Sequence, residues 1–151
     1  MVERNKPLAV CFDFSGVIVD HRDKKFIPGV KDLIKNLHGG MRLLAVISKF
    51  PRTTVETELS GLKGCFKEVY HASKRSKLDC VREFAMVYGI KDLSRVAFVD
   101  DKPENLRAVA ASPVFTIGFL GSGKYDTAAA CKEIGIPYAA NVGELSKLLG
   151  L

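Results

Sequence analysis

The chain is 151 residues long with a mass of 16.5 kDa, enough for one domain that buries about two-thirds of its unfolded surface. Its apolar content, 47%, is that of an ordinary soluble protein. No apolar segment approaches the roughly 20 residues needed to span a bilayer, and the start, MVERNKP, has no apolar signal core, so a cytoplasmic, non-membrane protein is expected. The 23 basic against 17 acidic residues, for a net charge of +6 and a pI near 9.2, favour anionic ligands such as phosphorylated metabolites, phosphoproteins or nucleic acid.

In chain order, the apolar run Leu8, Ala9, Val10, Cys11 and Phe12 reads as a fully buried strand that stops at Asp13. That places a carboxylate at the strand's C-terminal edge, where open α/β sheets bind ligands, and Gly16 allows a sharp turn away. An Asx-type turn alone would give the same local pattern. Val17 to Ile27 alternates unevenly between apolar and charged residues and is expected to form a small exposed hairpin over the strand ends.

Val30, Leu33, Ile34 and Leu37 have helical spacing, closed by Gly39 and Gly40. A second strand, Leu43 to Ile47, ends at Ser48. Ser48 to Leu62 reads as a loop and a helix, with Thr53 or Thr54 as its cap. A weaker strand over Val69 to Ala72 precedes a helix with apolar positions Leu78, Val81, Phe84, Ala85 and Tyr88, ending at Gly89. Arg95 to Val99 forms a fourth strand ending at Asp100 and Asp101. A helix over Pro103 to Ala111 and a strand over Val114 to Ile117 follow. The tail adds a helix near Thr127 to Ile134, a short strand at Tyr138 to Ala140 and a last helix from Val142 to Leu149. Strands alternating with amphipathic helices predict a single α/β domain over residues 1–151, with a parallel sheet covered on both faces.

Cys11, Cys65, Cys80 and Cys131 are scattered without a paired motif, which favours reduced thiols over disulfides or zinc. His21, His38 and His71 have no partner spacing and are read as structural. GFLGSGKY, Gly118 to Tyr125, matches G-x-x-x-x-G-K, but Tyr125 stands where a phosphate loop needs Ser or Thr; it is read as a flexible glycine loop at a crevice rim.

A carboxylate, a hydroxyl, a lysine and paired acids, in the order Asp13, Ser48, Lys77 and Asp100 with Asp101, resemble the four motifs of the haloacid dehalogenase superfamily, across Leu8 to Ile117. The resemblance implies a Rossmann-like three-layer α/β/α sandwich with a mainly parallel sheet, the first strand central. It implies Asp13 as the nucleophile that forms an aspartyl-phosphate, later hydrolysed by water. An anion attacking an anion needs cations. By the resemblance, Mg²⁺ is held by Asp13, Asp101 and the main-chain carbonyl of Ser15, with Asp100 and Asn105 joining or orienting that shell. Ser48, Lys49 and adjacent amides would hold the phosphoryl oxygens, and Lys77 would neutralise phosphate and nucleophile. Competing readings are local: Ser48 as a turn cap before Pro51, the Asp pair as helix N-terminal acids, and Lys74 in place of Lys77.

The chain departs from the family's phosphatases at Ser15, where they generally have the Asp that serves as general acid and base. Loss of such a group commonly costs on the order of 10²- to 10⁴-fold. Three readings follow: a slow phosphohydrolase or phosphotransferase suited to good leaving groups, a long-lived phosphoenzyme, or a catalytically inactive phospho-ligand module. A haloacid dehalogenase activity is disfavoured, because neither that group's aromatic residue at this place nor its cap is present. The spacings from Asp13 to Ser48 and from Ser48 to Lys77 leave no room for a cap domain. The resulting open crevice requires a large phosphorylated substrate or a neighbouring subunit of a homo-oligomer as cover.

Overall fold

Ala9–Phe12 (β1) is apolar on both of its faces because both are covered, and all four residues are fully buried. In this computed structural model, which describes residues 6–151, β1 lies at the centre of a six-stranded sheet. The other strands are Leu43–Ser48 (β2), Glu68–His71 (β3), Val96–Asp100 (β4), Phe115–Phe119 (β5) and Tyr138–Ala139 (β6). Their order is β3-β2-β1-β4-β5-β6, and every pairing is parallel. Residues 1–5, part of the start read above as lacking a signal core, lie outside the described residues.

Alternation along β1 divides the core. Val10 and Phe12 face one layer, with Val30–Gly39 (α1), Arg52–Leu59 (α2) and Val142–Leu148 (α6). Ala9 and Cys11 face the other, with Lys77–Val87 (α3) and Pro103–Ala110 (α4); Thr127–Ile134 (α5) packs beside α4. The expected three-layer α/β/α sandwich with a central first strand is therefore the fold. The register pairs Phe12 with both Val46 and Val99, so Asp13 follows level with Asp100 and one residue short of Ser48, and all three emerge at one edge. No helix among the described residues is long and apolar enough to cross a membrane.

Two local expectations are corrected. Val17 to Ile27 is not an exposed hairpin: Val17, Ile18 and Val19 are wholly buried, and only isolated bridges join Ser15 to Val19 and Val19 to Phe26. The amides of Ile18 and Val19 both donate to the Phe14 carbonyl, which curls this apolar triplet into the first core layer. The start of α2 is set by Pro51 rather than Thr53 or Thr54: the helix begins at Arg52, with no side-chain cap, because the proline ring presets the entry at φ −56°. The four cysteines are free thiols, three of them buried.

Phe84 anchors α3 against Tyr70 and Tyr88, with ring centroids 6.3 and 4.9 Å away. Phe84→Ala is expected to cost about 3–5 kcal/mol in urea unfolding. Met86→Ala, two residues on and 74% exposed, should stay within about 0.5 kcal/mol of the native chain.

Candidate active site

Helix α3 begins at Lys77 because the Ser76 hydroxyl caps it, accepting the Asp79 amide at 3.0 Å. This start directs the Lys77 ammonium under the sheet edge, where Nζ lies 2.7 Å from Asp13 Oδ1 and 3.0 Å from Asp100 Oδ2. Lys74 is exposed and outside the crevice, so Lys77 is the lysine of the site. The crevice has a volume of about 530 Å³ and is lined by Asp13, Ser15, Ser48, Lys77, Asp101 and Asn105, among others.

Asp100 is fully committed. Its Oδ1 accepts the amides of Asp101 and Lys102 at 2.7 and 2.9 Å, and Oδ2 accepts Lys77 and the Asn105 amide nitrogen at 3.1 Å. Asp101 differs: Oδ2 lies 2.7 Å from His21 Nε2, while Oδ1 is buried with no hydrogen-bond partner. Oxygens of Asp13, Asp100 and Asp101 lie within 4.8 Å of one another. Hard oxygen donors around a partnerless buried carboxylate oxygen suit a hard divalent cation such as Mg²⁺. Asp13 and Asp101 offer the uncommitted oxygens, whereas Asp100 and Asn105 orient the group.

The electrostatics agree with that fit. Burial first, and then the charge of Asp100, push the Asp13 carboxyl well above its ordinary range, with Lys77 opposing. The same two causes raise Asp101 to about 7. Burial works against the Lys77 charge, but Asp13 and Asp100 outweigh it and raise its pKa. Three crowded carboxyls with one ammonium are short of positive charge, which a divalent ion would supply.

Ser48 Oγ accepts the Phe50 amide at 3.0 Å, so the turn-capping reading holds, yet its own proton is still available to a ligand at the crevice wall. Lys49 and Lys124 are exposed at the rim. The glycine loop Gly118 to Tyr125 reaches the crevice as expected. A Cβ at Gly121 would sit 2.0 Å from the Gly16 carbonyl oxygen, so this loop lies directly against the turn after β1.

His21 is the residue that sequence reasoning missed. Read as structural, it stands in the site, Nδ1 2.8 Å from Ser15 Oγ and Nε2 on Asp101. With the carboxylate ionised, Nε2 carries the proton and Nδ1 accepts from the serine. Gly16 makes this contact possible: at φ +93°, a Cβ there would fall 2.2 Å from Asp101 Oδ2 and 2.4 Å from His21 Nε2. The only signal in the sequence is that the segment must turn back over a strand end. His38, in contrast, lies exposed in the last turn of α1, and His71 Nε2 is 3.2 Å from the Lys49 carbonyl.

No protein-family model matches the chain, and no curated protein does. Solved structures do. A protein of Clostridium difficile assigned as a phosphatase superposes with a TM-score of 0.82 at 15% identity, covering 96% of this chain and 99% of its own. A haloacid dehalogenase-superfamily hydrolase of Ehrlichia chaffeensis gives 0.78 at 11% identity, with 97% and 98% covered. The 3-deoxy-D-manno-octulosonate 8-phosphate phosphatase of Moraxella catarrhalis, solved with magnesium, phosphate and the sugar acid, gives 0.72 at 17% identity, with 95% and 83% covered. The chain therefore has the fold of these phosphatases.

Because Asp101 holds its proton more tightly folded than unfolded, it costs the metal-free protein stability as pH rises from about 4, its ordinary value, to about 7. Asp101→Asn should then stabilise the protein in EDTA by about 1–3 kcal/mol at pH 8 and by much less at pH 5, read by urea unfolding. The same variant should lose the thermal stabilisation that Mg²⁺ gives the native chain at pH 8.

Proposed function

On the haloacid dehalogenase fold, we propose that this chain is a Mg²⁺-dependent phosphohydrolase that works through an aspartyl-phosphate on Asp13. The observation that carries the reading is the buried Lys77 bridge to Asp13 and Asp100, in a cluster with Asp101 whose Oδ1 has no partner, at the floor of the crevice. One oxygen of the Asp13 carboxylate stays with the cations and the other attacks phosphorus; the new P–O bond forms as the ester oxygen leaves with its bonding pair. Ser48 and the Lys49 amide donate to the phosphoryl oxygens, and Lys77 holds the positive charge beside them. Mg²⁺, held by Asp13, Asp101 and the Ser15 carbonyl, supplies charge neutralisation and phosphoryl positioning when bound.

The departing oxygen has no acidic side chain at residue 15 to protonate it, so it leaves well only when it is already a stable anion. Water then attacks phosphorus and releases Asp13. Transfer to another hydroxyl is the same chemistry with a different acceptor. The open crevice takes a phosphomonoester of the kind that the phosphatases of this fold act on, and a neighbouring copy of the chain is one way to cover it. The setting proposed is the cytoplasm.

The test is release of phosphate from an aryl and an alkyl phosphate, with Mg²⁺ and with EDTA. Native turnover of the aryl ester should need the metal and fall at least about 10³-fold in Asp13→Asn. Ser15→Asp should accelerate the alkyl ester more than the aryl one, by about tenfold or more. If native chain and Ser15→Asp are both inert while Mg²⁺ still raises thermal stability, the fold serves as a phospho-ligand binding module instead.

A further inference from the structure

Three lysines from three separate loops meet at one side of the crevice: Lys24 after β1, Lys49 after β2 and Lys124 after β5. The neighbouring basic residues are neutralised, Lys102 by Glu104 at 3.6 Å and Arg75 by Glu83 at 3.2 Å. Among the described residues, no ion pair involves Lys24, Lys49 or Lys124. Two of them rest on aromatic rings of the crevice wall, Lys24 4.9 Å from the Phe50 centroid and Lys124 5.4 Å from that of Tyr125. These contacts seat the two ammonium groups at the crevice wall; Lys24 gives one donor to Ser15, and its others stay free.

Lys24 is placed at a cost. Its backbone is left-handed, φ 60°, a conformation an L residue avoids, and from it Nζ reaches back to within 3.2 Å of Ser15 Oγ. That is the side of Asp13 on which the family's proton donor stands, and so the side of the leaving group.

At the floor, three carboxylates face one ammonium, so a divalent cation leaves the floor close to neutral. The phosphoryl group brings about two negative charges to it. Three uncompensated lysines at the rim exceed that demand.

We propose that Lys24, Lys49 and Lys124 form a subsite for a second anionic group on the leaving portion of the substrate. The substrate class is then a phosphomonoester that also carries a carboxylate or a second phosphate. This rests on the hydrolase reading and narrows it. Both anions share the chemistry that three flexible ammonium donors recognise, and the test separates them.

The experiment compares esters on one three-carbon chain, 3-hydroxypropyl phosphate, 3-phosphooxypropanoate and propane-1,3-diol bisphosphate, together with their six-carbon counterparts, all at constant ionic strength. For the native chain with Mg²⁺, kcat/KM for one of the two anionic termini should exceed that of the matched alcohol by tenfold or more. The better terminus identifies the second group. In K24Q/K124Q this ratio should fall to within about twofold of unity, and Lys→Arg at the same positions should restore most of it. The ratio within each variant is the readout, so a general loss of rate does not imitate the effect.

Calorimetric binding of the same esters with Ca²⁺ in place of Mg²⁺ repeats the comparison without turnover. Preferential binding of the anionic esters with no turnover of any ester, an aryl phosphate included, keeps the subsite and overturns the hydrolase reading. Turnover with no preference at either chain length, or a preference unchanged in K24Q/K124Q, overturns the subsite and leaves hydrolysis standing. Equal binding without turnover overturns both.

Discussion

The site depends on one buried cation. Lys77 Nζ lies between carboxylates from two adjacent strands, Asp13 beyond β1 and Asp100 at the end of β4, with its side chain only 11% exposed. Without that ammonium, two buried carboxylates would face each other unscreened, and breaking a buried pair in this way typically costs about 3–5 kcal/mol. The bridge also ties α3 to the sheet edge at the point where the chain crosses back from β3 at the sheet's margin to β4 beside the centre. Position and electrostatics thus have a single cause: the contact that docks the helix is the one that holds Asp13.

Around it, the acids divide their roles by hydrogen bonding rather than by residue type. Asp100 has every acceptor position occupied and acts as the rigid frame. Asp101, its neighbour in sequence, keeps one buried oxygen without a partner, a donor that suits a hard cation. Ser15, in turn, is embedded between His21 and Lys24. Residue 15 is a hydroxyl beside the Lys24 ammonium, where the resemblance implies a carboxylic acid.

The parts legible in the sequence were those governed by period and by ends. Strands buried on both faces read as unbroken apolar runs, so β1, β2 and β4 and the polar residues that stop them were visible, and parallel topology brings such stops to one edge. Lys77 and Lys74 stayed open in the sequence, because a helix start is not fixed to the residue; the Ser76 cap separates them in the structure. Loops have no period. Nothing in VIVDHRDKKFI says that its apolar triplet turns inward or that its histidine returns to Asp101; both follow from two amides sharing the Phe14 carbonyl and from Gly16 leaving room. Two of the rim lysines were hidden for another reason. Lys49 stood out beside Ser48, but Lys24 and Lys124 look like surface charge, and only the strand order brings their loops to one crevice.

The central claim is that the Asp13 carboxylate becomes covalently phosphorylated. Acid quenching of the native chain during steady turnover of an aryl phosphate, followed by borohydride reduction and peptide mass spectrometry, examines it most directly, since borohydride converts an acyl phosphate to homoserine. Homoserine is expected at residue 13 alone, dependent on both substrate and Mg²⁺. Robust turnover with residue 13 unmodified, or with the label on another side chain, would contradict it.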